Sequence, residues 1–292
     1  MTNSALPSPE QSFDHMLPDT LDEEDRLNLS CLLSVYPSIA AVEKEKSAIW
    51  LRMRSGERVL YGSDHALPFA NTLEADIRTS MRDLYALEPK RPETPLGYAP
   101  GRKRPYALFY TLYGANEREV KRHTRSVHAL HQYWRFVPEA AEAFLNAAKE
   151  LDTLLRHDPS LRPWLTNAGT FSWRFIAGET VLSAHSFGIA FDIGVKKGAT
   201  YWRWCPLRPH PLQKTFSPLI VAAFEKQGFI WGGKWHEYDL MHFEYRPELI
   251  CKARMVQKKD LGKREEKKGN ATSLQYSLIP TGKPVGLSDN PE

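Results

Sequence analysis

One segment, SAHSFGIAFDIGV at residues 183–195, constrains the chain more than any other. From Phe187 onward it alternates without a break. Phe187, Ile189, Phe191, Ile193 and Val195 fall on one side, and Gly188, Ala190, Asp192 and Gly194 on the other. Successive strand residues point to opposite faces, so the pattern predicts a strand with an apolar core face. The second face carries a lone carboxylate among residues with almost no side chain. A buried carboxylate is costly unless it is paired or bound to a metal, and small neighbours leave room for something to reach it. His185 precedes Asp192 by seven residues, which on an unbroken strand is the opposite face. A turn near Ser186–Gly188 swings it back, Gly188 supplying the backbone freedom.

A second segment, GFIWGGKWHEYDLMHFEYRPEL at residues 228–249, has the same period. Met241, Phe243 and Tyr245 face one way, His242 and Glu244 the other, so His242 is expected on a strand beside the first. Two His and one Asp form a three-ligand set that leaves a fourth tetrahedral position for water, the arrangement of a catalytic zinc. Asp239, on the loop before His242, is a separate carboxylate suited to general-base work. Zinc lowers the pKa of its water to about 7, and such a carboxylate can pass the proton to a leaving amine.

The rest of the chain supplies a frame. IWLRMRSGERVLYG at residues 49–62 reads as two strands about a Ser55-Gly56 turn. Val120, Val127 and Trp134 recur by sevens, predicting a helix over 116–135. PEAAEAFLNAAKELDTLLRH at 138–157 puts Ala140, Phe144, Ala147, Ala148, Leu151, Leu154 and Leu155 on one helical stripe. SPLIVAAFEKQG is a further helix, with Ser217 as N-cap, Pro218 at the first position and Gly228 past the end. The mixture is α+β rather than a regular βαβ alternation. Four stretches are expected: a mostly mobile arm at 1–40, an accessory region with a hairpin and helix at 41–137, the domain carrying the metal ligands at 138–251, and a basic, mobile tail at 252–292. Residues 1–26 hold seven acidic side chains and three prolines, whereas KARMVQKKDLGKREEKKGN holds eight basic and three acidic residues. That tail is either simply solvated or a loose hold on an anionic polymer.

Composition removes several classes. Against 35 acidic residues stand 39 basic ones, a formal net charge of +4, too balanced for nucleic acid as the main partner. No apolar run reaches the length of a membrane span. Cys31, Cys205 and Cys251 build neither a disulfide framework nor a metal knuckle, though one disulfide remains open. The N-terminus has no basic and apolar regions of a secretory leader. The protein therefore works where it is made, unless a leader has been removed. His123, His128 and His131 fall on the expected helix as a solvated face. His236-Glu237 lacks a second His at position 240, which is Leu. Cys205 has no local base to activate it. The loop YWRWCPLRPHP at 201–211 is either a wall of a substrate cleft or a cover for the sheet.

The strings S-x-H-x-x-G-x-A-x-D and D-x-x-H-F-E resemble those of the zinc D-alanyl-D-alanine carboxypeptidase family, over roughly residues 138–250. Its relatives include the D,D-dipeptidases, the phage L-alanyl-D-glutamate endolysins and the hedgehog domain that shares the fold. The resemblance implies a hedgehog/DD-peptidase-like antiparallel sheet with packed helices. It implies one Zn2+ held by His185, Asp192 and His242, with Asp239 as the catalytic carboxylate. Asp rather than Glu at that position, together with the W-G-G-x-W string Trp231 to Trp235, is similar to the endolysin branch and favours cleavage inside a peptide. Arg174 matches the arginine that grips and polarises substrate, its fork of donors suiting an oxyanion. Ser183 matches the first motif position and would contact substrate or orient a ligand. Glu244 either bonds a ligand imidazole or forms a simple salt bridge. The implied substrates are peptidoglycan stem peptides, and the implied location is periplasmic or cell-wall-associated if a leader has been removed, otherwise cytoplasmic until release. A zinc-containing, non-catalytic wall- or protein-binding module is the alternative.

Overall fold

The computed structural model describes residues 13–65, 69, 71–88 and 95–276, with side chains as far as residue 262. The expected arm before residue 13 and tail after residue 276 lie outside the described residues. Helices alternate irregularly with three small antiparallel sheets, an α+β architecture. The chain divides into two units, one ending at Arg254 and the other starting at Met255.

The first unit opens with α1 (Glu23–Val35), capped by Asp22, whose carboxylate accepts from the Asp25 N–H at 2.7 Å. Leu29, Leu32 and Leu33 are buried, and Cys31 is bonded to Cys251 with Cα atoms 5.6 Å apart. The arm expected over residues 1–40 is corrected here. Apolar residues at i, i+3 and i+4 make a packed helical stripe, which the acidic residues just before it obscured. A meander follows, of β1 (Ile39–Glu45), β2 (Ala48–Met53) and β3 (Arg58–Ser63), and its second hairpin turns at Ser55-Gly56 as expected.

After α2 (Ile77–Ser80) and α3 (Tyr106–Tyr113), the stretch expected as one helix over 116–135 divides. Only α4 (Glu117–His123) is helical, and β4 (Arg125–Ala129) and β5 (Gln132–Phe136) form a hairpin. The spacing by sevens misled because the β-favouring run Tyr133-Trp134-Arg135-Phe136 alternates instead, with Trp134 and Phe136 buried. His123, His128 and His131 consequently lie on a helix end, a strand and a turn.

Helix α5 (Pro138–His157) forms as predicted and buries Ala140, Phe144, Ala147 and Leu151. These pack toward the sheet of β6 (Ala190–Asp192), β7 (Phe229–Trp231) and β8 (His242–Tyr245), in which β8 is central and both neighbours run antiparallel to it. Between β6 and β7 lie α6 (Leu212–Thr215) and α7 (Pro218–Lys226). Phe191 anchors the sheet's inner face, 5.1 Å from Phe144, 4.8 Å from Phe224 and stacked at 5.2 Å on Phe243. The strand is shorter than the alternation predicted. Val195 leaves the core face and is exposed in a 3-10 turn.

No domain boundary falls at residue 137. Buried pairs such as Arg104–Glu244 and Tyr85–Glu225 tie the expected accessory region into the same unit as the expected ligand domain. Within the expected basic tail, α8 (Pro247–Tyr276) is helical to residue 276. No helix among the described residues is long and apolar enough to cross a membrane.

Candidate metal centre and its cleft

Two local devices bring the three ligand candidates together. The register of β6 and β8 places Asp192 directly opposite His242, and directly paired strand residues have neighbouring side chains. His185 sits in a 3-10 turn, Ala184–Phe187, closed by Gly188 at φ +66°. That left-handed residue bends the chain so that an imidazole seven positions away returns to Asp192. His185 Nε2 is 3.2 Å and His242 Nδ1 3.4 Å from Asp192 Oδ1. One ligand atom from each residue lies within 4.8 Å of the other two, and all three residues are buried.

The outer nitrogens of both rings are committed. His185 Nδ1 donates to the Thr170 carbonyl at 2.8 Å, and His242 Nε2 donates to Glu244 Oε2 at 3.2 Å. The inward atoms are then His185 Nε2, His242 Nδ1 and Asp192 Oδ1. Unprotonated, all three are acceptors, and converging acceptors repel unless a proton or cation lies among them. This donor set, with its oriented rings, fits a small divalent ion.

Burial and neighbouring charges oppose each other at these groups. Burial alone would raise Asp192, but the adjacent His185, with hydrogen bonds to His185 and His242, holds its carboxyl well below the usual range. Burial alone would lower His242, yet hydrogen bonds to Asp192 and Glu244 lift it to about 9. Glu244 is kept ionised against its burial chiefly by Arg104, which grips both carboxylate oxygens, Nε at 3.1 Å from each and Nη2 at 2.6 Å. Close approach matters at Gly169, where a Cβ would stand 2.9 Å from Asp192 Oδ2.

Asp239 lines the same cleft as Asp192 and His242. Its N–H donates to the Gly232 carbonyl at 3.0 Å, and its buried Oδ1 has no hydrogen-bond partner. Burial pushes its carboxyl up to about 6, with the Asp192 charge adding and His242 opposing. Arg174 Nη2 is 3.9 Å from Asp192 Oδ2, and its side chain is half-exposed. Ser183 is buried beside it and pairs its N–H with the Arg174 carbonyl at 2.9 Å. Of the two roles open to the 201–211 loop, Tyr201 and the exposed Trp204 take that of a cleft wall.

Sequence reasoning missed Arg102 and Arg104, which also line the cleft. The available signal was alternation in Arg102-Lys103-Arg104, where the two arginines are buried and the lysine exposed. It missed Thr170 too, whose carbonyl leaves no trace in residue type.

The arrangement defines a class of site: two imidazoles and a carboxylate converging on one point, in a cleft with a further carboxylate whose buried Oδ1 has no hydrogen-bond partner. The sequence model of the D-alanyl-D-alanine carboxypeptidase family matches residues 177–245, which contain His185, Asp192, Asp239 and His242. No curated protein and no solved structure matches the chain.

Proposed function

We propose that this protein is a zinc metallopeptidase that hydrolyses peptide bonds in peptidoglycan stem peptides, with an internal bond favoured over the terminal D-alanine. The observation that carries the proposal is the convergence of His185 Nε2, His242 Nδ1 and Asp192 within 4.8 Å, with Asp239 in the same cleft. The family match over residues 177–245 supports the peptidase reading and the cell-wall substrate class. A hedgehog/DD-peptidase-like arrangement of the β6-β8-β7 sheet belongs to the same reading.

His185, Asp192 and His242 would hold one Zn2+. When bound, the ion supplies Lewis acidity, polarising the scissile carbonyl and acidifying a water toward neutral pH. Asp239 takes the proton of the attacking water on its unpartnered Oδ1 and delivers it to the departing amine. A carboxyl lifted by burial toward neutrality suits both halves of that transfer. Arg174, half-exposed at the cleft and within 3.9 Å of Asp192, steadies the carbonyl oxygen as negative charge gathers there. Ser183 orients the substrate beside Arg174, and Glu244 fixes the tautomer of His242. The Cys31–Cys251 disulfide supports action in an oxidising compartment, periplasmic or wall-associated.

The test is digestion of purified peptidoglycan with product masses read by mass spectrometry. Released peptides identify an endopeptidase, and loss of alanine alone a carboxypeptidase. Asp239→Ala is expected to slow release by about 10²- to 10⁴-fold while zinc stays bound. Equal digestion by variant and wild type would mean that Asp239 is not the base and would favour the binding-module alternative.

A further inference from the structure

Five buried side-chain N or O atoms among the described residues have no hydrogen-bond partner, and three belong to residues lining this cleft: Asp239 Oδ1, Arg102 Nε and Arg104 Nη1. Buried polar groups are ordinarily paired, so three orphans in one place need a reason. Asp239 has one in the reaction above. The two guanidinium donors do not.

Arg102 is held as a receptor would be. Its side chain is only 6% exposed. The guanidinium lies over the rings of Tyr201 and Trp235, 5.8 and 5.3 Å from their centroids, and Nη2 donates to Tyr201 Oη at 3.2 Å. The nearest carboxylate, Glu237 Oε2, stands 3.7 Å from Nε, beyond hydrogen-bond length, and is half-exposed. Arg104 spends Nε and Nη2 on Glu244 and has the Tyr106 hydroxyl beside its guanidinium, while Nη1 makes no well-formed hydrogen bond. The segment itself is pinned. Trp235 Nε1 donates to the Pro100 carbonyl at 2.9 Å, Arg246 Nη1 to Gly101 at 2.8 Å, and the Arg104 N–H to Leu73 at 2.8 Å.

We propose that Arg102, with Nη1 of Arg104 as a second donor, forms a carboxylate receptor in the cleft, built by a segment outside the family-matched region. Its ligand is a free carboxylate on the residue at the leaving side of the scissile bond. Terminal D-alanine carries one, and so does a D-glutamate joined through its side chain. The receptor therefore serves either cleavage position. Guanidinium donors, planar and always charged, suit a carboxylate and gain most where water is excluded. The identity of the ligand rests on the peptidase reading, whereas the anion site itself does not.

The experiment separates the two. Calorimetry on the full chain carrying Asp239→Asn, which suppresses turnover, compares a short peptide ending in D-alanyl-D-alanine with its C-terminal amide. The acid is expected to bind about 10- to 100-fold more tightly, as a charged hydrogen bond is lost with the amide. Adding Arg102→Met should bring the two affinities within about threefold of each other, with circular dichroism confirming the fold. Equal binding of acid and amide, no binding of either, or a preference that survives Arg102→Met would overturn the receptor. Hydrolysis by the wild-type protein is read in parallel. Retained acid preference, with neither alanine nor peptides released from purified peptidoglycan by the wild-type protein, would remove the peptidase reading and leave the receptor standing.

Discussion

Glu244→Gln tests the brace behind the His185–Asp192–His242 cluster. The native carboxylate is fully buried and answers to three partners: Arg104 through both its oxygens, Arg246 Nη1 at 3.5 Å and His242 Nε2 at 3.2 Å. Glutamine keeps the shape but removes the charge, and it turns an NH2 toward a guanidinium that can only donate. Removing one side of a buried ion pair costs about 3–5 kcal/mol, because the remaining charge is left uncompensated. For a unit of this size about 2 °C is lost per kcal/mol, so the melting temperature should fall by roughly 6–10 °C. The same change gives the His242 ring a neutral amide oxygen in place of a carboxylate, and weakening of such an outer partner typically lowers metal affinity by up to about 10- to 100-fold. Differential scanning fluorimetry and a competitive zinc titration read both effects on one preparation. Asp239→Asn, whose Oδ1 has no internal partner, should leave both nearly unchanged. A Glu244→Gln protein that melts within about 2 °C of wild type and binds zinc equally well would refute the reasoning.

Three further outcomes follow from the same geometry. Metal-free His242 is lifted from 6.5 to about 9, so its protonated form stabilises the metal-free fold fully below 6.5 and no longer above about 9. An ion needs the neutral ring, so apparent zinc affinity should climb about tenfold per pH unit between pH 7 and 9, and titrations showing a flat profile would contradict this. Gly169→Ala puts a Cβ 2.9 Å from Asp192 Oδ2 and should weaken zinc binding about tenfold with little change in melting temperature, both read in the same two assays. Replacing Cys31 and Cys251 by Ser opens a loop of sequence separation 220, worth at most about 5 kcal/mol by chain entropy or roughly 10 °C. Thermal melts with and without a reductant should show the drop in wild type and none in the double variant.

The convergence of His185, Asp192 and His242 was legible because these residues announce themselves locally. Period-2 alternation set Asp192 and His242 on adjacent strands, and the small residue Gly188 marked the turn that returns His185. The helices at 138–157 and 218–226 were equally plain, having long apolar stripes and prolines at their starts. What escaped were partnerships across distance. Arg104 meets Glu244 over 140 positions and Tyr36 meets Glu248 over 212, and no periodicity links them. The same holds for the cysteines, since pairing depends on Cα atoms brought within bonding range by the whole unit. The hairpin at 125–136 was hidden differently, because apolar residues seven apart satisfy a helix until the neighbouring alternation is weighed against them.

Metal content tests the central claim most directly. Protein purified without added metal, then equilibrated with zinc and freed of excess by gel filtration, should hold one ion per chain by plasma mass spectrometry. Single His185→Ala, Asp192→Ala and His242→Ala variants, folded by circular dichroism, should retain almost none. Wild-type protein that retains no zinc, or variants that retain as much as wild type, would contradict the account.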